Sequence, residues 1–257
     1  MELNKLFSLE GRTALITGAS SGLGLHLAGV LAHAGAAVVL AARRKDKVEQ
    51  AAAELTSSGH QAHAVYLDVT QTATISAAFD AAEVALDKPV DILVNNAGIL
   101  YGAKFLQQDE QEISRIFDTN LKGAFLVAQE GARRMAKQKR GSIINMASTA
   151  GLRAAGFVSS YAATKAAVIN LTQVMALELA GKGIRVNALC PGNFETDMQQ
   201  LYVTHGFDKA LVERTPQRRF GKTEDLDGPI LLLASDAGRY MTGAIVTVDG
   251  GQTLTWM

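Results

Sequence analysis

The 257-residue sequence predicts an α/β fold, a doubly wound parallel sheet of about seven strands with helices on both faces. Three observations lead there. Short, β-branched apolar runs alternate with stretches of helical spacing from one end of the chain to the other. The runs are almost continuously apolar, as strands covered on both faces should be. No low-complexity linker, charge run or fixed-period repeat divides the chain, so 1–257 reads as a single domain.

The first strand is TALIT (13–17), and the second and third are AAVVLA (36–41) and QAHAVYL (61–67). DILVN (91–95), SIINMA (142–147), IRVNAL (184–189) and AIVTV (244–248) follow. Between them, KVEQAAAELTSS (47–58), ATISAAFDAAEVAL (73–86) and one long stretch over 110–137 carry helical periodicity. The irregular region 193–222 precedes the last helix and strand. In an open α/β sheet an excursion at the carboxyl ends of the strands is placed to cover a ligand.

Gly18, Gly22 and Gly24 lie between the first strand and its helix, spaced G-x-x-x-G-x-G. A phosphate bound there needs backbone N–H groups and a helix N-terminus, with no Cβ in the way. The position of the glycines, more than their number, predicts a dinucleotide. An acid at the end of the second strand would bond the adenosine ribose of NAD. Instead the strand runs on as VVLAARRKDK, with Ala41 and Ala42 in the acid's place and Arg43 and Arg44 next. A carboxylate would repel a 2′-phosphate, whereas a guanidinium binds it through paired charge-assisted hydrogen bonds. NADP(H) is therefore favoured and NAD(H) is the alternative, with Arg43 the leading contact and Arg44 free to point to solvent.

Bulk properties narrow the rest. Lysine plus arginine and aspartate plus glutamate number 25 each, so neither nucleic acid nor an anionic membrane is an expected partner. One cysteine, Cys190, excludes an intrachain disulfide and suits a reducing compartment; it reads as packing at a strand end. MELNKLFSLEGR contains no signal-like apolar run, and a cytoplasmic location is expected. His60 and His63 lack an acidic or thiol partner at ligand spacing, so no metal is expected.

SSYAATKAAV (159–168) sets Tyr161 and Lys165 four apart, on one helical face. A free phenol titrates near 10, and an ammonium at about 4 Å supplies about the 4 kcal/mol needed to bring that toward 7. A phenol so tuned is a usable acid and base at neutral pH.

Taken together, these motifs resemble the short-chain dehydrogenase/reductase family over nearly the whole chain. TGASSGLG (17–24), LDVT (67–70), NNAG (95–98), DTNLKG (118–123), INMASTAG (144–151), PGNFETDM (191–198) and VDGGQ (248–252) carry the likeness. It implies a Rossmann fold and a catalytic set of Asn120, Ser148, Tyr161 and Lys165. It also implies nucleotide contacts from Gly18, Ser20, Ser21, Gly22, Leu23, Gly24, Arg43, Arg44, Asp68, Val69, Asn95, Ala97, Gly98, Tyr161, Lys165, Pro191, Gly192 and Thr196. By the same likeness Lys165 holds the nicotinamide ribose and Asn120 anchors a water serving the lysine. One mild departure is Ala147, where many members carry a serine.

The expected activity is interconversion of a ketone and a secondary alcohol, on a 3-oxoacyl compound or a sugar acid. The alternatives are an NAD(H)-dependent enzyme of the same family and a non-catalytic nucleotide sensor on the same fold. Leu100, Tyr101, Leu152, Phe157, Phe194 and Tyr202 are expected to line a partly apolar pocket, with Arg153 read first as a solvated loop charge and alternatively as an anchor for an acidic group. Homotetramers or homodimers are implied, and alanines 162, 163, 166 and 167 suit close helix packing between or within subunits.

Overall fold

The structure, a computed structural model, describes residues 3–196, 204 and 206–254. After a short helix α1 (Leu3–Phe7), strand and helix alternate as the sequence predicts: β1 (Thr13–Thr17), α2 (Gly22–His33), β2 (Ala37–Ala42), α3 (Lys45–Ser57), β3 (Ala62–Tyr66), α4 (Thr72–Leu86) and β4 (Ile92–Asn95). The second half runs α5 (Glu110–Phe117), α6 (Ala124–Gln138), β5 (Gly141–Met146), α7 (Ser159–Leu179), β6 (Ile184–Pro191), α8 (Asp208–Arg214), α9 (Asp227–Ala234) and β7 (Ile245–Val248).

All strand pairs are parallel, in the order β3-β2-β1-β4-β5-β6-β7. This is a Rossmann-like sheet. The chain leaves β1 toward β2 on one side and later returns to β4 on the other. Their carboxyl ends therefore flank a crevice where a ligand can sit.

Alternation along each strand feeds two cores. Ile16, Val38 and Leu40 pack under Leu27 and Leu31 of α2 and Ile230 and Leu233 of α9. Their neighbours Leu15 and Val39 face the other way, with Phe79 of α4, Val127 and Met135 of α6, and Val186 of β6. Burial on both faces is why the strands read as unbroken apolar runs.

Arg134 ties α6 to α4. Its guanidinium donates to Asp80 at 2.7 Å, Glu83 at 2.8 Å and Glu130 at 2.7 Å, and stacks 5.4 Å from the Phe79 ring centroid. Only 14% of this side chain is exposed, so its loss leaves the partly buried Glu83 without this cation and Glu130 with only the longer contact to Arg133 at 3.7 Å. Arg134→Ala is expected to destabilise the fold by about 2 kcal/mol, lowering Tm by about 4–8 °C. Thermal unfolding followed by circular dichroism measures this, and an unchanged Tm refutes the clamp.

One feature departs from the periodicity. The stretch 110–137 is not one continuous helix, because α5 and α6 are joined by a π-helical turn over Asp118–Gly123. The wider turn coincides with Asn120, whose side chain is drawn to the loop after β4. Among the described residues no helix is long and apolar enough to cross a membrane.

Candidate active site

The glycine turn after β1 is locked to the end of β4. Thr17 Oγ1 accepts from the backbone N–H groups of Asn96 and Ala97, both at 2.9 Å, and Asn96 Nδ2 donates to Thr17 O at 2.9 Å. Gly18 and Gly24 make room for this amide: a Cβ on Gly18 would lie 2.9 Å from Asn96 Nδ2, and one on Gly24 would clash with the same atom. Gly22 is different. It has φ +57° and faces open space toward Thr196, whose Cβ is 4.0 Å from where its own would be. The glycines thus divide the work: two admit Asn96, and one opens the first turn of α2.

Ser21 stands at the N-cap of α2, but its hydroxyl makes no cap. It accepts instead from Arg44 Nη2 at 2.6 Å, while Arg44 Nε and Nη2 reach Ser20 Oγ at 3.1 and 2.8 Å. Arg44 therefore does not simply point to solvent, since its guanidinium lies over the glycine turn. Arg43 faces a cavity of about 690 Å³ that it shares with Thr70, Ile99, Arg115 and Thr119. Ala42, in the acid's place, is buried. An uncapped helix start beside a guanidinium and an open Gly22 fits the phosphates of a dinucleotide.

Asp68 follows β3, and its carboxylate accepts from Thr70 N at 3.0 Å and Thr70 Oγ1 at 2.7 Å; Val69 is buried beside it. Asn95 lies within the sheet at 5% exposure, donating to Ala124 O at 2.8 Å and Asn145 Oδ1 at 3.2 Å. Its neighbour Asn96, absent from the expected set, is the one that shapes the turn. The doubled asparagine of NNAG was the available signal.

The four expected catalytic residues come from separate elements. Ser148 follows β5, and its Oγ caps the 3₁₀ turn Thr149–Gly151 by accepting from Ala150 N at 3.2 Å. That turn packs directly on α7 at Lys165 and Ala166. Tyr161 and Lys165 share one face of α7, with Lys165 Nζ 5.6 Å from the phenol ring centroid. Asn120 is 1% exposed and binds the backbone of Ile99 twice, donating from Nδ2 to its O and accepting at Oδ1 from its N–H, each at 2.8 Å. Gly98 lies at the meeting point, where a Cβ would be 3.4 Å from Asn120 Oδ1 and 3.7 Å from Lys165 Nζ.

Lys165 is 5% exposed and donates to Met146 O at 2.7 Å. Burial lowers its pKa from 10.5 to about 8, opposed by the nearby Cys190. Burial likewise pushes the Cys190 thiol up to about 11, against the backbone N–H of Ser148 and the charge of Lys165. Cys190 is packing, as its sequence context suggests, but it packs behind two of the four candidate residues.

Pro191 closes β6 against Val248, and Gly192 N donates to Val248 O at 2.9 Å. The next residues are pinned by the chain at 221, where Phe194 bridges Gly221 and Glu195 N donates to Gly221 O. That bridge draws the Phe194 ring largely into the core at 5% exposure, where it borders a small cavity of about 150 Å³ together with Asn193, Thr215 and Val248. Leu100 and Tyr101 are half-buried, Leu152 and Arg153 are exposed, and Tyr202 lies outside the described residues.

A sequence profile described as short chain dehydrogenase matches residues 12–205. The chain belongs to the short-chain dehydrogenase/reductase family. It is accordingly an oxidoreductase acting on CH–OH groups with NAD(P). Gluconate 5-dehydrogenase of Gluconobacter oxydans is 38% identical over 251 residues, 97% of this chain and 98% of that one. The 3-oxoacyl-(acyl-carrier-protein) reductase of Thermotoga maritima is 38% identical over 245 residues, 95% and 98% of the two chains. A crystal structure of a gluconate 5-dehydrogenase from Burkholderia cenocepacia, in complex with NADP and tartrate, superposes with a TM-score of 0.95. It is 39% identical, covering 99% of this chain and all of the other.

Proposed function

We propose that this short-chain dehydrogenase/reductase uses NADP(H) to interconvert a sugar-acid ketone and its secondary alcohol, with Tyr161 as the acid and base. The shared face of Tyr161 and Lys165 on α7, with the turn capped by Ser148 packed against that helix at Lys165 and Ala166, supports the chemistry. A bound nicotinamide supplies the hydride, or accepts it in the reverse direction. Ser148 and Tyr161 bind the carbonyl oxygen, and the phenol gives its proton to the oxygen as negative charge develops there. Lys165 stabilises the phenolate that results. Asn120, committed to Ile99, holds the turn beside Lys165.

In this reading the start of α2 holds the pyrophosphate, Asp68 and Val69 border the adenine, and Pro191, Gly192 and Thr196 border the nicotinamide. Arg44 is the observation that favours NADP(H), because its guanidinium is already on the turn with no acid opposite. Arg44→Ala is expected to weaken NADPH binding by about tenfold or more, leaving NADH within about threefold, and Arg43→Ala to act in the same sense. Titration of each variant with both nucleotides decides it, and equal losses for the two overturn the assignment.

The substrate reading rests on the gluconate 5-dehydrogenases among the relatives, so gluconate with NADP⁺ should turn over faster than a 3-oxoacyl thioester with NADPH. The reverse order supports the acyl reading, which a relative of equal identity favours. Assembly with further copies is part of this proposal. Ala163, Ala166, Asn170, Val174 and Leu177 form an exposed stripe along α7, opposite its buried face.

A further inference from the structure

Phe157 is held in a left-handed backbone conformation, φ +73°, which a bulky side chain adopts only under constraint. The constraint is visible. Ala103 N donates to Phe157 O at 2.8 Å, Gln108 Nε2 donates to Ala103 O at 2.9 Å, and Ser160 Oγ donates to Gln108 Oε1 at 2.9 Å. This frame joins the loop after β4 to the first turn of α7. A glycine at 157 would satisfy the same frame without strain, so the backbone alone does not account for the phenylalanine.

Its ring meets Phe207 edge to face, with centroids 5.8 Å apart and planes at 74°. The two rings come from segments distant in sequence. Phe157 lies in the segment between the Ser148 turn and Tyr161, while Phe207 immediately precedes α8, beyond the Pro191–Thr196 stretch. In an edge-to-face pair one edge and one face are covered, and a ring face left open presents apolar surface suited to C–H groups. Phe207 is still 42% exposed after making the contact.

We infer that Phe157 and Phe207 are specificity-determining residues, forming an aromatic clasp on the C–H surface of the substrate beyond the carbon that reacts. The strain at Phe157 is then the cost of keeping a ring where glycine would fit the backbone better. This rests on the ketone–alcohol reading above, and it adds which part of the substrate is gripped and by what.

The test compares Phe157→Gly, Phe157→Ala and Phe207→Ala with the wild type, using the faster of gluconate and the 3-oxoacyl thioester as probe. Each variant is expected to raise KM for the probe about tenfold with kcat within about threefold, because the clasp acts on binding away from the reacting atoms. Stability should separate the two replacements at 157. Phe157→Gly, relieved of its conformation, should melt above Phe157→Ala although both lose the same ring. A purely structural role predicts that KM follows Tm, and so does not predict equal KM values in these two variants. Unchanged KM in the Phe157 and Phe207 variants overturns the clasp while leaving the activity standing. A wild-type protein that turns over neither probe overturns both.

Discussion

Tyr161→Phe is expected to reduce turnover about 1000-fold or more while leaving the nucleotide Kd within about threefold. The substitution removes one hydroxyl from a half-buried ring and keeps the packing of α7, so the fold has no reason to change. In the proposed mechanism the reaction loses the group that delivers a proton to the developing alkoxide. Ser148 is a poor substitute: its Oγ is positioned by the Ala150 N–H, and an aliphatic alcohol is far too weak an acid near neutral pH. A 1000-fold loss corresponds to about 4 kcal/mol of transition-state stabilisation, within the range of general acid catalysis. Steady-state rates and nucleotide titration of the purified variant give the two numbers. A variant that kept a tenth of the rate would remove Tyr161 from the role.

Lys165→Met should separate function from stability. The ammonium is the cation closest to the phenol ring on its own helix face, and its loss is expected to lower turnover about 100-fold or more. Stability should move the other way. Lowering the lysine from 10.5 to about 8 is worth about 3 kcal/mol of penalty, offset in the variant by the lost bond to Met146 O. The sign follows from proton counts: between pH 8 and 10.5 the unfolded chain holds this proton and the folded one does not. The penalty is therefore complete below pH 8 and fades as pH rises toward 10.5. Cys190 works oppositely above pH 9, since the folded thiol keeps a proton that the unfolded one loses. Without the Lys165 charge the Cys190 thiol is pushed higher still in the variant, which acts in the same direction as the lysine above pH 9. At pH 7 the variant should be at least as stable as the wild type, and its advantage should shrink by pH 10. Denaturant melts across that range would expose a contrary trend at once.

The strands were legible because burial on both faces leaves a plain apolar signature, and each observed strand lies within two residues of its expected limits. Tyr161 and Lys165 were legible from helical spacing, and Ser148 and Asn120 only through resemblance. What escaped depended on side-chain direction or on contacts distant in sequence. Nothing in RRK states which arginine turns back over the glycine loop, and it is Arg44 that reaches Ser20 and Ser21. The π turn at Asn120 was hidden because one wider turn barely disturbs a 3.6-residue pattern. The deep burial of Phe194 is set by Gly221, 27 positions away, and Phe207 carries no periodic signal at all.

The amide of Asn96, wedged between Thr17 and the two crowded glycines, has a thermodynamic consequence for the nucleotide. The loop proposed to receive the phosphates is already closed by hydrogen bonds within the chain, so its configurational entropy is surrendered during folding and not on encounter with the ligand. Association then draws on a preorganised cradle, and the free energy of phosphate contact goes into retention of the coenzyme instead of into ordering the polypeptide around it.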